Sequence, residues 1–190
     1  LVDHAESEGL GAIAVTGEYS TGMIRSTFTA EPHRGAVLAA KAIVVGVVMA
    51  LATALTYLIA ILLTAPILGS AGIDWSDPAQ SWTPLAAGVF AMAMFALIGL
   101  GFGFLIRNGA GAIAATVGVL FVLPIVTNMF VFAGESWQWL VDAGQYLPMS
   151  AAQMATTPAG DDVLQGIITL AAWPAALLLA AWVALRTRDV

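Results

Sequence analysis

Four stretches of this chain carry no charged residue and are each long enough to cross a bilayer: Ala42 to Ala65, Leu85 to Ile106, Ala110 to Ala133 and Val163 to Leu185. At about 1.5 Å of rise per helical residue, each matches a hydrocarbon layer about 30 Å thick. No water is available there to satisfy peptide groups, so each stretch must be a helix that bonds its own backbone. The composition agrees: 60% of the 190 residues are hydrophobic and 9% are charged, against about a quarter charged in soluble domains. So few charges cannot cover the surface of a water-soluble fold that also holds four such runs apart. The chain is expected to be an all-α integral membrane protein, one transmembrane domain over residues 1–190 with four transmembrane helices.

The formal net charge of -6 says less than its placement. Arg25, Arg34 and Lys41 precede the first run, Arg107 separates the second from the third, and Arg186 and Arg188 follow the fourth. The alternate connections hold Asp74, Asp77, Glu135, Asp142, Asp161 and Asp162 and no Lys or Arg. The positive-inside rule then puts residues 1–35, the Arg107 turn and the C-terminus in the cytoplasm of a cell whose inner (plasma) membrane holds the protein. An even number of spans is required, and four fit.

The connections have their own character. Pro66 is expected to end the first span, and Asn108-Gly109 reads as a tight turn. Pro124 inside the third span predicts a kink. Residues 134–162 mix Glu135, Trp137, Trp139, Asp142, Gln145, Tyr146, Pro148 and Gln153 with short apolar pieces. That segment is too polar to cross and too apolar for a free linker, so it predicts short helices lying at, or dipping into, the outer membrane surface. Trp75, Trp82, Trp137 and Trp139 fit a headgroup belt, and Asp161 and Asp162 fit the positive end of the fourth helix dipole.

Inside the four spans there is no Asp, Glu, Lys, Arg or His. Proton-coupled transporters and intramembrane enzymes place ionisable groups at depth, so energy for any uphill transport would have to enter from a partner. With no cysteine and only His4 and His33, thiol chemistry is excluded and a metal site is not expected. The polar groups within spans are Thr53, Thr56, Tyr57, Thr64, Thr116, Thr127, Asn128 and Thr169. Hydroxyls that bond back to their own helix explain most of them. Asn128, four residues after Pro124, wants a partner on another helix or in a wet cavity; Asn128, Thr127 and Pro124 are therefore the candidate lining of a substrate path. Small residues recur every fourth position at Gly46, Ala50 and Ala54, at Gly99 and Gly103, and at Ala172, Ala176, Ala180 and Ala184. Such stripes let helices approach closely, inside the bundle or against a second subunit. Gly99, Gly101, Gly103, Gly109 and Gly111 do not form a dinucleotide fingerprint.

The polar run Gly17 to Arg34, G-E-Y-S-T-G-M-I-R-S-T-F-T-A-E-P-H-R, leads directly toward the first span. It resembles the cytoplasmic segment between the second and third spans of ABC-2 type transporter permeases. Those carry a glutamate, three residues, a glycine, a short amphipathic helix and a proline, which here are Glu18, Gly22, Met23 to Ala30 and Pro32, with Arg25 and Arg34 alongside. Where the family often has threonine after the glycine, this chain has Met23. The succession of spans, acidic loop, tight basic turn and long amphipathic segment extends the resemblance over nearly the whole chain, as the third to sixth of six spans. Asp3, Glu6 and Glu8 stand where the end of a second span would be apolar. With Leu1 in place of methionine and no signal peptide in view, the sequence is expected to lack its natural start.

The resemblance implies a coupling helix. Glu18, Gly22, Met23, Ile24, Arg25, Thr27, Phe28, Pro32 and Arg34 would dock on a separate ATPase subunit, which would bind the ATP and Mg; no cofactor belongs to this chain. A second permease subunit, lipid bilayer, and no nucleic acid complete the implied partners, and residues 134–162 would be the external re-entrant helices. The expected function is that of a non-catalytic permease subunit exporting a hydrophobic or amphipathic substrate. The alternative is a non-transporting membrane anchor or immunity-type protein; in that case the polar run would be an interfacial helix on anionic lipid.

Overall fold

A computed structural model describes residues 34–68 and 73–187. Every regular element among them is helical. Helix α1 runs Arg34–Leu68, α2 Trp82–Ile106, and α3 Gly109–Val117. A π turn, Gly118–Val122, joins α3 to α4, Leu123–Met129, and a 3₁₀ turn, Phe130–Ala133, ends that span. After a second 3₁₀ turn at Glu135–Trp137 come α5, Gln138–Gly144, α6, Pro148–Thr156, and α7, Val163–Thr187. Four stretches, Gly35–Leu68, Trp82–Ile106, Gly109–Phe132 and Val163–Arg186, are long and apolar enough to cross a membrane. This is the architecture of a membrane protein.

Helix α2 is the axis of the bundle. Its most apolar window is 61% buried, against 6% for α1 and 17% for each of the other two spans. It packs against α1, α3, α6 and α7, and Gly99, Gly101 and Gly103 are all buried in it. At Gly101 a methyl group would meet Leu177 Cβ at 2.7 Å, so the small residue is what lets α7 come so near. Two apolar clusters follow along α2. One joins Leu38, Leu100, Phe104, Ala181 and Leu185; the other joins Phe95, Ile98, Leu120, Ala151, Ala152 and Leu170.

These contacts fix which connections share an end. At one end Arg186 lies 3.6 Å above the Trp182 ring, and a Cβ at Gly35 would touch Trp182, so the start of α1 and the end of α7 lie together. At the other, the Ala159 N–H donates to the Ala79 carbonyl at 3.1 Å, so the loops before α2 and before α7 lie together. Lys41, Arg107 and Arg186 therefore mark a basic end, and Asp74, Asp77, Asp161 and Asp162 an acidic end. The charge segregation legible in the sequence is carried into three dimensions.

Three local expectations are refined. Pro66 does not end α1, which continues to Leu68. The tight turn after α2 places its left-handed residue at Arg107 (φ 57°) and not at Asn108 or Gly109. Asn108 is extended because its side-chain oxygen accepts from the Gly111 N–H at 3.2 Å and caps α3, and the reversal falls to the preceding residue. The alanine stripe of the last span faces outward over most of its length: Ala172, Ala176 and Ala180 are exposed and Ala184 is half-buried.

Candidate functional site

The segment between the third span and α7 folds into the bundle as a hairpin. Its tip is Tyr146, whose carbonyl accepts from Trp173 Nε1 at 2.8 Å. Trp173 stands ten residues into α7, about 15 Å along it, so the tip lies well below the helix ends. At the tip the N–H groups of Gln145, Tyr146 and Leu147 bond to the carbonyls of Asp142, Ala143 and Gly144, which leaves no peptide donor of the turn unsatisfied where water is scarce. Helix α6 returns from the tip along α7. A Cβ at Gly166 would sit 2.6 Å from the Ala151 carbonyl oxygen and 2.7 Å from the Ala155 nitrogen, so the two backbones are in direct contact there. Ala151 and Ala155 are fully buried on this face.

The descending arm, α5, packs on α4. A Cβ at Gly144 would meet Thr127 Oγ1 at 2.8 Å, and Thr127 is buried with its hydroxyl donating to the Pro124 carbonyl at 3.0 Å. Thr127 is thus a packing residue beneath α5. On the exposed side of the same arm, Asp142 accepts from Gln138 Nε2 at 3.1 Å, and Gln145 is exposed beside it.

Between α4 and α6 lies a cleft of about 670 Å³, within the size range of small-molecule sites. Leu120, Phe121 and Ile125 form one wall with Pro124, Met149 stands opposite, and Met129 and Phe132 lie toward the acidic end. Its two polar side chains among the described residues are Asn128 and Gln153. A second cleft of about 470 Å³ shares Met149 and Gln153 and continues toward α1, where it meets Tyr57 and Thr156. Gln153 stands at the junction.

The cleft has its shape because the third span is not one α-helix. Proline lacks an N–H and clashes with the preceding turn, and the chain answers with the π turn immediately before Pro124, in which the Leu123 N–H reaches back to the Gly118 carbonyl. The widened turn lies beside α6. Asn128 then folds its Nδ2 onto the Pro124 carbonyl at 2.8 Å, so its partner is its own helix and not a neighbouring one. Thr53, Thr56, Thr64 and Thr116 bond to the carbonyls of Met49, Ala52, Ala60 and Ala112 in the same way.

Of the residues singled out in the sequence, Pro124 and Asn128 therefore meet in one cleft and Thr127 stands on another face. Glu18, Gly22, Met23, Ile24, Arg25, Thr27, Phe28 and Pro32 lie outside the described residues, and Arg34 opens α1. The residues that sequence reasoning missed are Met149 and Gln153. Their signal was the helical spacing of Met149, Gln153 and Thr156 opposite the alanines of α6. Trp75, Trp82, Trp137 and Trp139 are exposed at or near the acidic end, with the first two rings 5.1 Å apart; they take no part in the cleft. Among the described residues, no group of His, Cys, Asp and Glu is arranged to hold a metal. Compared with known protein families, with characterised proteins and with solved structures, the chain matches none.

Proposed function

We propose that this chain is the membrane subunit of an ATP-driven, ABC-2 type exporter of hydrophobic or amphipathic molecules. It works with a separate ATPase subunit, which binds ATP and Mg, and with a second permease subunit, and it has no catalytic role of its own. The basic end lies in the cytoplasm, by the positive-inside rule.

The observation that carries this reading is the re-entrant hairpin. It places Asp142, Gln145 and a non-helical turn below the ends of the spans, and only its returning arm, α6, lines the open cleft. Polar and irregular backbone at such depth is tolerated where it lines a protein or water-filled cavity, and an anchor held by four spans needs none of it. The spans themselves carry no ionisable group for proton coupling, and in this reading the energy enters through the polar run Gly17 to Arg34, which leads into α1 in the sequence. The outward stripe of Ala172, Ala176 and Ala180 suits close approach by a second subunit.

The test is co-purification with an ATPase from the source cells. The wild-type chain is expected to retain an ATPase and stimulate it, and Gly22→Pro and Arg25→Glu are each expected to lose both. If both variants keep the ATPase and its stimulation, the coupling role is wrong and the anchor reading takes its place.

A further inference from the structure

We infer that the cleft between α4 and α6 binds an uncharged amphiphile whose polar head carries a hydrogen-bond donor, a hydroxyl or amide N–H, with its apolar tail laid along the third span. The inference rests on the reading of this cleft as the substrate's path and names the chemistry of what enters.

The charge of the head is set by what lines the two clefts. Among the described residues, seven of the nine around the larger one are apolar, the other two are amides, and none is ionisable; the smaller one adds only Tyr57 and Thr156 as polar groups from the described residues. A carboxylate or ammonium there would lose water without gaining a counter-charge, which is far costlier than burying a neutral group that finds a hydrogen bond.

The donor requirement comes from Asn128. Its side chain gives one N–H to a carbonyl, which can only accept, so the group facing Pro124 is the NH₂, and the oxygen Oδ1 is left beside the second N–H with its lone pairs unused. The cleft thus offers an acceptor at Asn128. It offers both an acceptor and a donor at Gln153, whose side-chain amide has no hydrogen-bond partner among the described residues. A head that can only accept, such as a simple ester, satisfies Gln153 and leaves Asn128 Oδ1 facing it unpaired.

The place of the tail follows from depth. Asn128 is five residues, about 7 Å, from the end of the span at Ala133, and Leu120 is eight residues, about 12 Å, further in. A head at Asn128 therefore sits just inside the apolar layer while the tail passes Pro124 and Phe121 toward Leu120. Phe132, 93% exposed at the acidic end of the cleft, leaves the entrance open sideways, where an amphiphile already in the bilayer would enter.

The experiment is native mass spectrometry of the purified chain, released from one detergent, with an equimolar mixture of monoolein, methyl oleate, oleate and oleylamine. All four share the tail. Monoolein alone has a neutral head with hydroxyl donors, and its adduct is expected to exceed each of the others about tenfold. Asn128→Leu with Gln153→Leu is expected to bring monoolein down to the level of methyl oleate. Equal retention of methyl oleate and monoolein by the wild type overturns the donor requirement. Preferred retention of oleate or oleylamine overturns the neutral head. Undiminished monoolein binding by the double variant overturns the site. The wild-type ranking needs no variant to fold, and it is read without any ATPase, so its failure is separate from a failure of the exporter reading.

Discussion

Substitution of Gly166 by alanine tests the packing on which the cleft depends. The added Cβ would stand 2.6 Å from the Ala151 carbonyl oxygen and 2.7 Å from the Ala155 nitrogen, whereas ordinary contact begins at 3.4 Å. Both obstacles are backbone atoms of α6, and no rotamer change can move them. The helices would have to part by about 0.8 Å, the shortfall from ordinary contact. Forced backbone shifts of this kind cost about 1–3 kcal/mol, and alanine returns up to about 1 kcal/mol through its better helix propensity. With rigid atoms on both sides, a net loss of about 1–2 kcal/mol is expected. Gly118→Ala is the matched control, since a Cβ there meets nothing within 4 Å and only the propensity gain remains. Unfolding of the two variants and the wild type, followed in one mixed-micelle system, should rank Gly166→Ala below wild type and Gly118→Ala at or above it. If Gly166→Ala is as stable as the wild type, α6 and α7 are not in backbone contact and the hairpin does not seat as described.

Three further outcomes follow. Gly88→Ala is expected to destabilise less than Gly166→Ala, because the new Cβ meets the hydroxyl end of Tyr57, which can swing; adding Tyr57→Phe should recover most of the loss in the same assay, and no recovery would refute the contact. The Asp74 carboxylate accepts from the Ser76 hydroxyl at 2.6 Å and its N–H at 3.0 Å, and these bonds, the hydroxyl first, hold its pKa below the ordinary value. The turn they make is therefore kept above the ordinary carboxylate range and released as pH falls through the lowered pKa. Ser76→Ala should move the carbon-13 titration of Asp74 upward, and an unchanged titration would refute the assignment. Since the chain has no cysteine, Asn108→Cys and Ser76→Cys can each be labelled by a membrane-impermeant maleimide. The first should react only after the cytoplasmic face is opened and the second in intact cells, and the reverse pattern would invert the orientation.

The four long apolar helices were legible because length and the absence of charge leave a peptide in hydrocarbon one choice, although α1 begins at Arg34, eight residues before the apolar run from Ala42. The sidedness of the charges was legible for the same reason. What the sequence concealed is contact. The repeat of Ala172, Ala176 and Ala180 is the same pattern whether it meets a helix or faces outward, and only the packing of α7 against α2 and α6 along its other face distinguishes them. The hairpin segment was expected as short helices lying at, or dipping into, the outer membrane surface; its depth depends on the Trp173 bond to Tyr146, a pairing across 27 residues that no local pattern announces. Gln153 was hidden because its importance comes from where α6 is held, and that in turn depends on one glycine in α7.

Pro124 and Asn128 show how two residues that looked independent become one device. The proline withholds a donor, and the span widens into a π turn beside α6 in place of a simple kink. Its own carbonyl collects the hydroxyl of Thr127 and the amide of Asn128. Those two bonds separate the neighbours: Thr127 turns under α5 and becomes packing, while Asn128 gives one of its two N–H donors to the backbone and keeps its oxygen as an acceptor. The selectivity inferred for that cleft, a neutral head that must donate, thus traces to the point where the third span departs from the regular helix. A leucine at position 128 would keep the cleft apolar and remove the acceptor, so the preference for monoolein over methyl oleate should fall even where total retention of oleoyl chains does not.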